Sequence, residues 1–134
     1  MKTKPRSMFA IVIAAWVTVI FCILATAQEQ PHRGKINASF EFDVGGVKFP
    51  PGQYILEAVS PSYGMIHSMD GKKEQTLYFE QTGEPVKNPR VIFAKRSNTY
   101  FFNAVWAWFG KMQFTGFTPR PDDETQEVPI TPIQ

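Results

Sequence analysis

Glu41 and Asp43 stand two positions apart in "INASFEFDV", residues 36–44, where apolar and polar residues alternate without a break. Side chains at i and i+2 of a strand share a face about 6.6 to 7 Å apart, a separation that two carboxylates acting on a glycosidic bond can use. The same alternation also carries a plainer reading. A strand burying Ile36, Ala38, Phe40, Phe42 and Val44 turns Asn37, Ser39, Glu41 and Asp43 toward water, so the carboxylates decorate a solvated face. Of the two histidines, His32 lies near the start of the domain and His67 sits between Met65 and Met69, which share its face. Transition-metal sites converge three or four ligands, and two histidines without a spacing relation do not make one. No serine is framed by a Gly-x-Ser-x-Gly elbow. The residues therefore indicate no catalytic set, no metal site and no cofactor, and a non-enzymatic protein is expected.

A second group could bind rather than react. In "TYFFNAVWAWF", residues 99–109, strict alternation places Tyr100, Phe102, Ala104, Trp106 and Trp108 on one face and Phe101, Asn103, Val105, Ala107 and Phe109 on the other. Both faces are apolar, as in a strand with core on one side and a partner or ligand on the other. Tyr100, Trp106 and Trp108 are the candidate interface, since Tyr and Trp stack on flat apolar surfaces, sugar rings included. The competing reading is ordinary core, aromatics being an efficient filling for a small domain.

The glycine turns around these residues do not grip phosphate. Gly45-Gly46 lies between two valines and has the composition of a two-residue hairpin loop; Pro50-Pro51-Gly52 fits a type II turn. A phosphate cradle needs glycines that open into a helix N-terminus, and here only short extended segments follow. Asp70-Gly71 and Ser97-Asn98 read as further hairpin turns.

The strands form one domain behind a leader. Lys2, Lys4 and Arg6, the apolar run Phe9 to Leu24, and Ala25-Thr26-Ala27 have the order of a secretory signal peptide, residues 1–27. The apolar run of 16 residues falls short of the about 20 that a spanning helix needs. Contact with a membrane is thus expected only through the leader, if it stays uncleaved. Phe21 before Cys22, where lipidation favours a small residue, argues against a lipid anchor. Cleavage after Ala27 leaves 11 Lys and Arg against 12 Asp and Glu, so the basic excess belongs to the leader and nucleic-acid binding is not expected. Cys22 is the only cysteine. The exported domain therefore has no disulfide and depends on its core, for which ten Phe, four Tyr and two Trp remain.

After an N-terminal linker, residues 28–35, a domain over 36–117 carries extended segments at short intervals: "QYILEAVS", "GMIHSM", "EQTLYFE", "RVIFAKR" and the aromatic run. Without helical periodicity, this spacing predicts an all-β fold, a small antiparallel β-sandwich or barrel of about seven strands. The segment 118–134 is proline-rich and acidic and has no aromatic residue, a composition that predicts a disordered tail.

Phe40, Phe42, Val44, Gly45, Gly46, Pro50, Gly52 and Tyr54 spell F-x-F-x-V-G-G-x-x-x-P-x-G-x-Y, and Val91, Phe93, Tyr100, Phe101 and Trp106 continue the pattern. With the leader, this resembles a group of small exported bacterial β-proteins, abundant in acidobacterial genomes, over about residues 36 to 108. The resemblance implies a β-rich exported domain and no particular activity. The chain departs from the group after Trp106, at "WFGKMQFTGF". The expectation is an exported binding or structural module of the cell envelope, periplasm or extracellular space, whose partner is a protein or a polysaccharide. The alternative is a carbohydrate-binding domain or a small polysaccharide-active enzyme using Glu41 and Asp43 or the tryptophans.

Overall fold

The computed structural model describes residues 31–133. The expected leader lies outside them, as do the first residues of the expected linker. The described chain is all-β, with eleven strands and no helix: β1 (His32–Ala38), β2 (Phe42–Val44), β3 (Val47–Phe49), β4 (Gly52–Ser60), β5 (Tyr63–Ser68), β6 (Glu74–Gly83), β7 (Arg90–Arg96), β8 (Thr99–Ala107), β9 (Gly110–Phe114), β10 (Glu124–Pro129) and β11 (Thr131–Pro132). They form one open mixed sheet in the order β10-β7-β8-β9-β6-β5-β4-β1-β11, with β2 parallel to β8 and β3 paired to β2.

Eleven strands replace the expected seven for two reasons besides the return of the chain after Ala107 as β9. The alternating run 36–44 is not one strand: β1 pairs with β4, whereas β2 pairs with β8 and β3. The chain changes neighbours at Ser39–Glu41 while Ile36, Ala38, Phe42 and Val44 all stay in the core. Alternation dictates which way side chains face, and says nothing of which strand lies alongside.

The second reason is the expected tail. Residues 124–129 pair along β7 from Glu124 opposite Lys95 to Pro129 opposite Arg90, and 131–132 pair with β1. Val128 and Ile130 are buried. Within segment 118–134, Glu124–Pro129 and Thr131–Pro132 are thus strands of the sheet and not a disordered tail, and the buried Val128 and Ile130 outweigh its acidic, proline-rich composition. Likewise His32–Lys35 of the expected linker belong to β1.

Two turns behave as their residues require. Gly45 and Gly46 have φ of 60° and 94°, and Asp43 Oδ1 accepts a hydrogen bond of 2.7 Å from Gly46 N. Ser97 and Asn98 take φ of 50° and 64° and join β7 to β8 as a two-residue loop. The type II turn does not form: Gly52 has φ of 156° and opens β4. Tyr54 instead secures Pro50 by donating its hydroxyl hydrogen bond to the Pro50 carbonyl.

The core is apolar throughout, with no polar or charged residue buried as a whole among the described residues. Phe42 is its hub, with ring centroids 5.4 Å from Phe49, 5.3 Å from Tyr54 and 5.1 Å from Phe93; Phe93, Phe102 and Phe114 continue the contacts. Each such side chain contributes about 1.5 to 3 kcal/mol by leaving water. That is how a domain whose only cysteine lies at residue 22 holds together without a disulfide.

Candidate functional site

A one-residue bulge decides where the aromatic run points. In the β7–β8 pair, Ile92 faces Ala104 and Phe93 faces Phe102, leaving Asn103 extra on β8. A bulge shifts the alternation by one position. Phe102 is in the core before it, Val105 and Ala107 after it, so Phe101, Ala104 and Trp106 share the outer face. The expected face of Tyr100, Phe102, Ala104, Trp106 and Trp108 does not exist. Gln113 on β9 stabilises the irregularity, donating 2.9 Å and 2.8 Å bonds to the Asn103 backbone carbonyl and side-chain oxygen.

The three candidate interface residues consequently have separate surroundings. Tyr100 stacks on Phe40 with centroids 4.0 Å apart. Trp108 stacks on His32 at 5.7 Å, and its ring closes over Gly34. A Cβ at Gly34 would collide with Ile130 and lie 3.2 Å from the Trp108 ring. Trp106 faces outward between cross-strand neighbours: the Arg90 guanidinium is 4.8 Å and the Lys111 ammonium 4.4 Å from its ring centroid. All three are half-buried, and they make no common platform.

What the fold does assemble is a cleft of about 460 Å³ lined by Asp43, Arg96, Phe101, Phe117, Thr118 and Arg120 together with Gly46 and Gly116. The parallel β2–β8 pair sets Asp43 directly opposite Phe101. The Gly45-Gly46 turn keeps the chain tight beside it. The far wall is the segment between β9 and β10, whose Phe117 stacks on Phe101 with centroids 5.1 Å apart and planes 21° from parallel.

Arg96 ties the two walls together. Its guanidinium lies 5.5 Å from the Phe101 centroid and 5.1 Å from that of Phe117. It donates through Nε and a terminal nitrogen to the two oxygens of Asp123, both at 2.7 Å, and to the Thr118 carbonyl at 3.3 Å. Such a fork-to-fork pair is directional as well as charged. Asp123 also accepts 2.8 Å from Arg120 N. These bonds, the Arg96 side chain first, hold the Asp123 carboxyl down at about 2.

The cleft can therefore bind in a defined way. Arg96 is already engaged by Asp123 and Asp43 Oδ1 by Gly46 N, which leaves Asp43 Oδ2 as acceptor, the Arg120 guanidinium and Thr118 hydroxyl as donors, and two phenyl rings as an apolar wall. Arg120 is exposed and makes no ion pair among the described residues. One carboxylate and one free cation give a site without net charge. Glu41 is exposed and does not line the cleft, so the carboxylate pair read from the sequence is not brought together there.

Of the sequence candidates, only Asp43 reaches this cleft. Phe101, read as the opposite face of the aromatic run, is its wall; Arg96, Phe117 and Arg120 were not singled out. The turn at Arg120–Asp123 had a local signal, since Pro-Asp-Asp is a turn composition. Its ion partner twenty-seven positions away did not. His67 lies 3.5 Å from Glu57, which also pairs with Arg33 at 3.1 Å, and among the described residues no group of three or more His, Cys, Asp or Glu could hold a metal ion. No family model, no curated protein and no solved structure matches this chain.

Proposed function

We propose that this chain is an exported, non-enzymatic binding module of the cell envelope or extracellular space, and that the Asp43–Phe101–Phe117–Arg120 cleft is its ligand site. The observation that carries the reading is the cleft's construction: an aromatic pair held by a doubly bonded Arg96–Asp123 bridge, with Asp43 and Arg120 in the lining as acceptor and donor. Rigid aromatic surface beside a few polar groups is how small-molecule and sugar sites obtain both affinity and orientation. A neutral site with these groups suits a polyhydroxylated ligand, which favours a polysaccharide partner over a strongly charged one. Export rests on the leader sequence and on the resemblance to small exported β-proteins.

The architecture that presents the cleft is, in this reading, a β-sandwich or flattened barrel. Three features support it. The run from β1 to β2 changes neighbours at Ser39–Glu41; β6 pairs with β5 through its first half and with β9 through its second; and β10 and β11, at opposite ends of the strand order, are separated only by Ile130.

The test is affinity electrophoresis of the exported protein through gels containing cell-wall and plant polysaccharides. Retardation by at least one neutral polysaccharide is expected, weakened about tenfold in Phe117→Ala and Asp43→Asn, since a lost stacking or hydrogen-bonding partner costs about 1 to 2 kcal/mol. Retardation unchanged in both variants, or absent with every polysaccharide, refutes the assignment.

A further inference from the structure

We propose that the outer edge of β10 is a strand-addition site for an extended, basic segment of a partner protein. Among the described residues β10 pairs with β7 alone. The direction of its backbone groups follows from one bond: Ile130 N donates to the Pro89 carbonyl at 3.0 Å. In an antiparallel ladder, groups aimed at one neighbour alternate with groups aimed away. With Pro129 opposite Arg90 and Val128 opposite Val91, the amides of Val128, Gln126 and Glu124 point to β7. Those of Thr125 and Glu127 point outward.

This edge has a defined length. Pro129 is the next outward position and has no N–H, and beyond it the same edge is taken by β1, which lies beside Val128 and Pro129 and pairs with Thr131, so the free stretch is Glu124 to Glu127. Glu124 through Glu127 are all exposed. A partner strand would therefore meet donors and acceptors at Thr125 and Glu127, the arrangement that β-strand addition uses.

Charge selects the occupant. Glu124 and Glu127 belong to this edge strand. Glu124 and Glu127 are paired on the β7 side with Lys95 at 4.0 Å and Arg90 at 3.2 Å, yet their side chains remain 77% and 52% exposed. A second copy would bring an identical acidic row against them, and like charges on opposed strands disfavour pairing. A lysine- or arginine-bearing strand meets the opposite condition. Neither Thr125 nor Glu127 lines the cleft, so strand addition and ligand binding are separable.

The experiment is amide hydrogen exchange by NMR on the full chain, alone and with two short synthetic peptides, one alternating lysine with valine and the other glutamate with valine. In the free protein Thr125 and Glu127 are expected to exchange fast, and Gln126 and Val128 slowly. The lysine peptide is expected to slow Thr125 and Glu127 by about tenfold or more, as newly formed ladder bonds do, while the glutamate peptide leaves them unchanged. Prior protection of Thr125 and Glu127 in the free chain would show the edge already taken. That result, no protection by the lysine peptide, or equal protection by both peptides would each overturn the proposal.

Discussion

Arg96 and Asp123 are joined by two hydrogen bonds of 2.7 Å, one to each carboxylate oxygen, and this bridge fastens the segment before β10 to the end of β7. Asp123's carboxyl sits at about 2, below its ordinary 3.8. A carboxyl lowered by folding stabilises the fold fully above its unfolded value, and the stabilisation fades as pH falls toward the folded one. Segment 115–123 is therefore expected to loosen between about pH 4 and pH 2, seen as loss of the Phe117 ring contacts by NMR. Asp123→Asn should remove the pH dependence in that window. An unchanged acid profile in that variant would contradict the role of the bridge.

The Asn103 bulge is expected to depend on Gln113. Gln113→Leu keeps the bulk and removes both donations, leaving the Asn103 carbonyl short of a partner at a cost of about 1 to 3 kcal/mol. Urea denaturation checks this. A neutral substitution would mean that water satisfies the bulge equally well.

Gly34 admits Ile130 and Trp108 because it has no side chain. Gly34→Val should destabilise by about 1 to 3 kcal/mol, as overpacking does. It should also detach β11, making the C-terminal residues susceptible to limited proteolysis. Ile130→Ala in the Gly34→Val background should recover part of the loss by removing the colliding methyl group.

Trp106 is framed by two cations, each worth about 0.5 to 1 kcal/mol at a partly exposed site. Arg90→Gln with Lys111→Gln is expected to leave the fold intact and make Trp106 more readily quenched by acrylamide, with Trp106→Phe identifying its share of the emission. Unchanged quenching would show that the cations do not cover the ring.

The all-β class was legible because alternation is local: Ile36, Ala38, Phe42 and Val44 are buried as their positions predict. The turns at Gly45-Gly46 and Ser97-Asn98 were legible because few residues tolerate positive φ. Asn103 was not, since nothing in "FFNAVW" marks an inserted residue, and one insertion reverses every later side chain. The strands β10 and β11 were concealed by composition, the two apolar anchors Val128 and Ile130 being few among acids and prolines. The cleft joins residues from β2, β7, β8 and the segment after β9, and such long-range pairing leaves no trace in local spacing.

The central claim is that the Asp43–Phe101–Phe117–Arg120 cleft takes a ligand. Its most direct test is NMR titration of the protein, residues 28–134, with neutral oligosaccharides cut from the polysaccharide that retards it most. The expected result is saturable shift change at Asp43, Phe101, Phe117 and Arg120, with Trp106 and Trp108 unmoved. Shift changes centred on the tryptophans, or none that saturate, would contradict it.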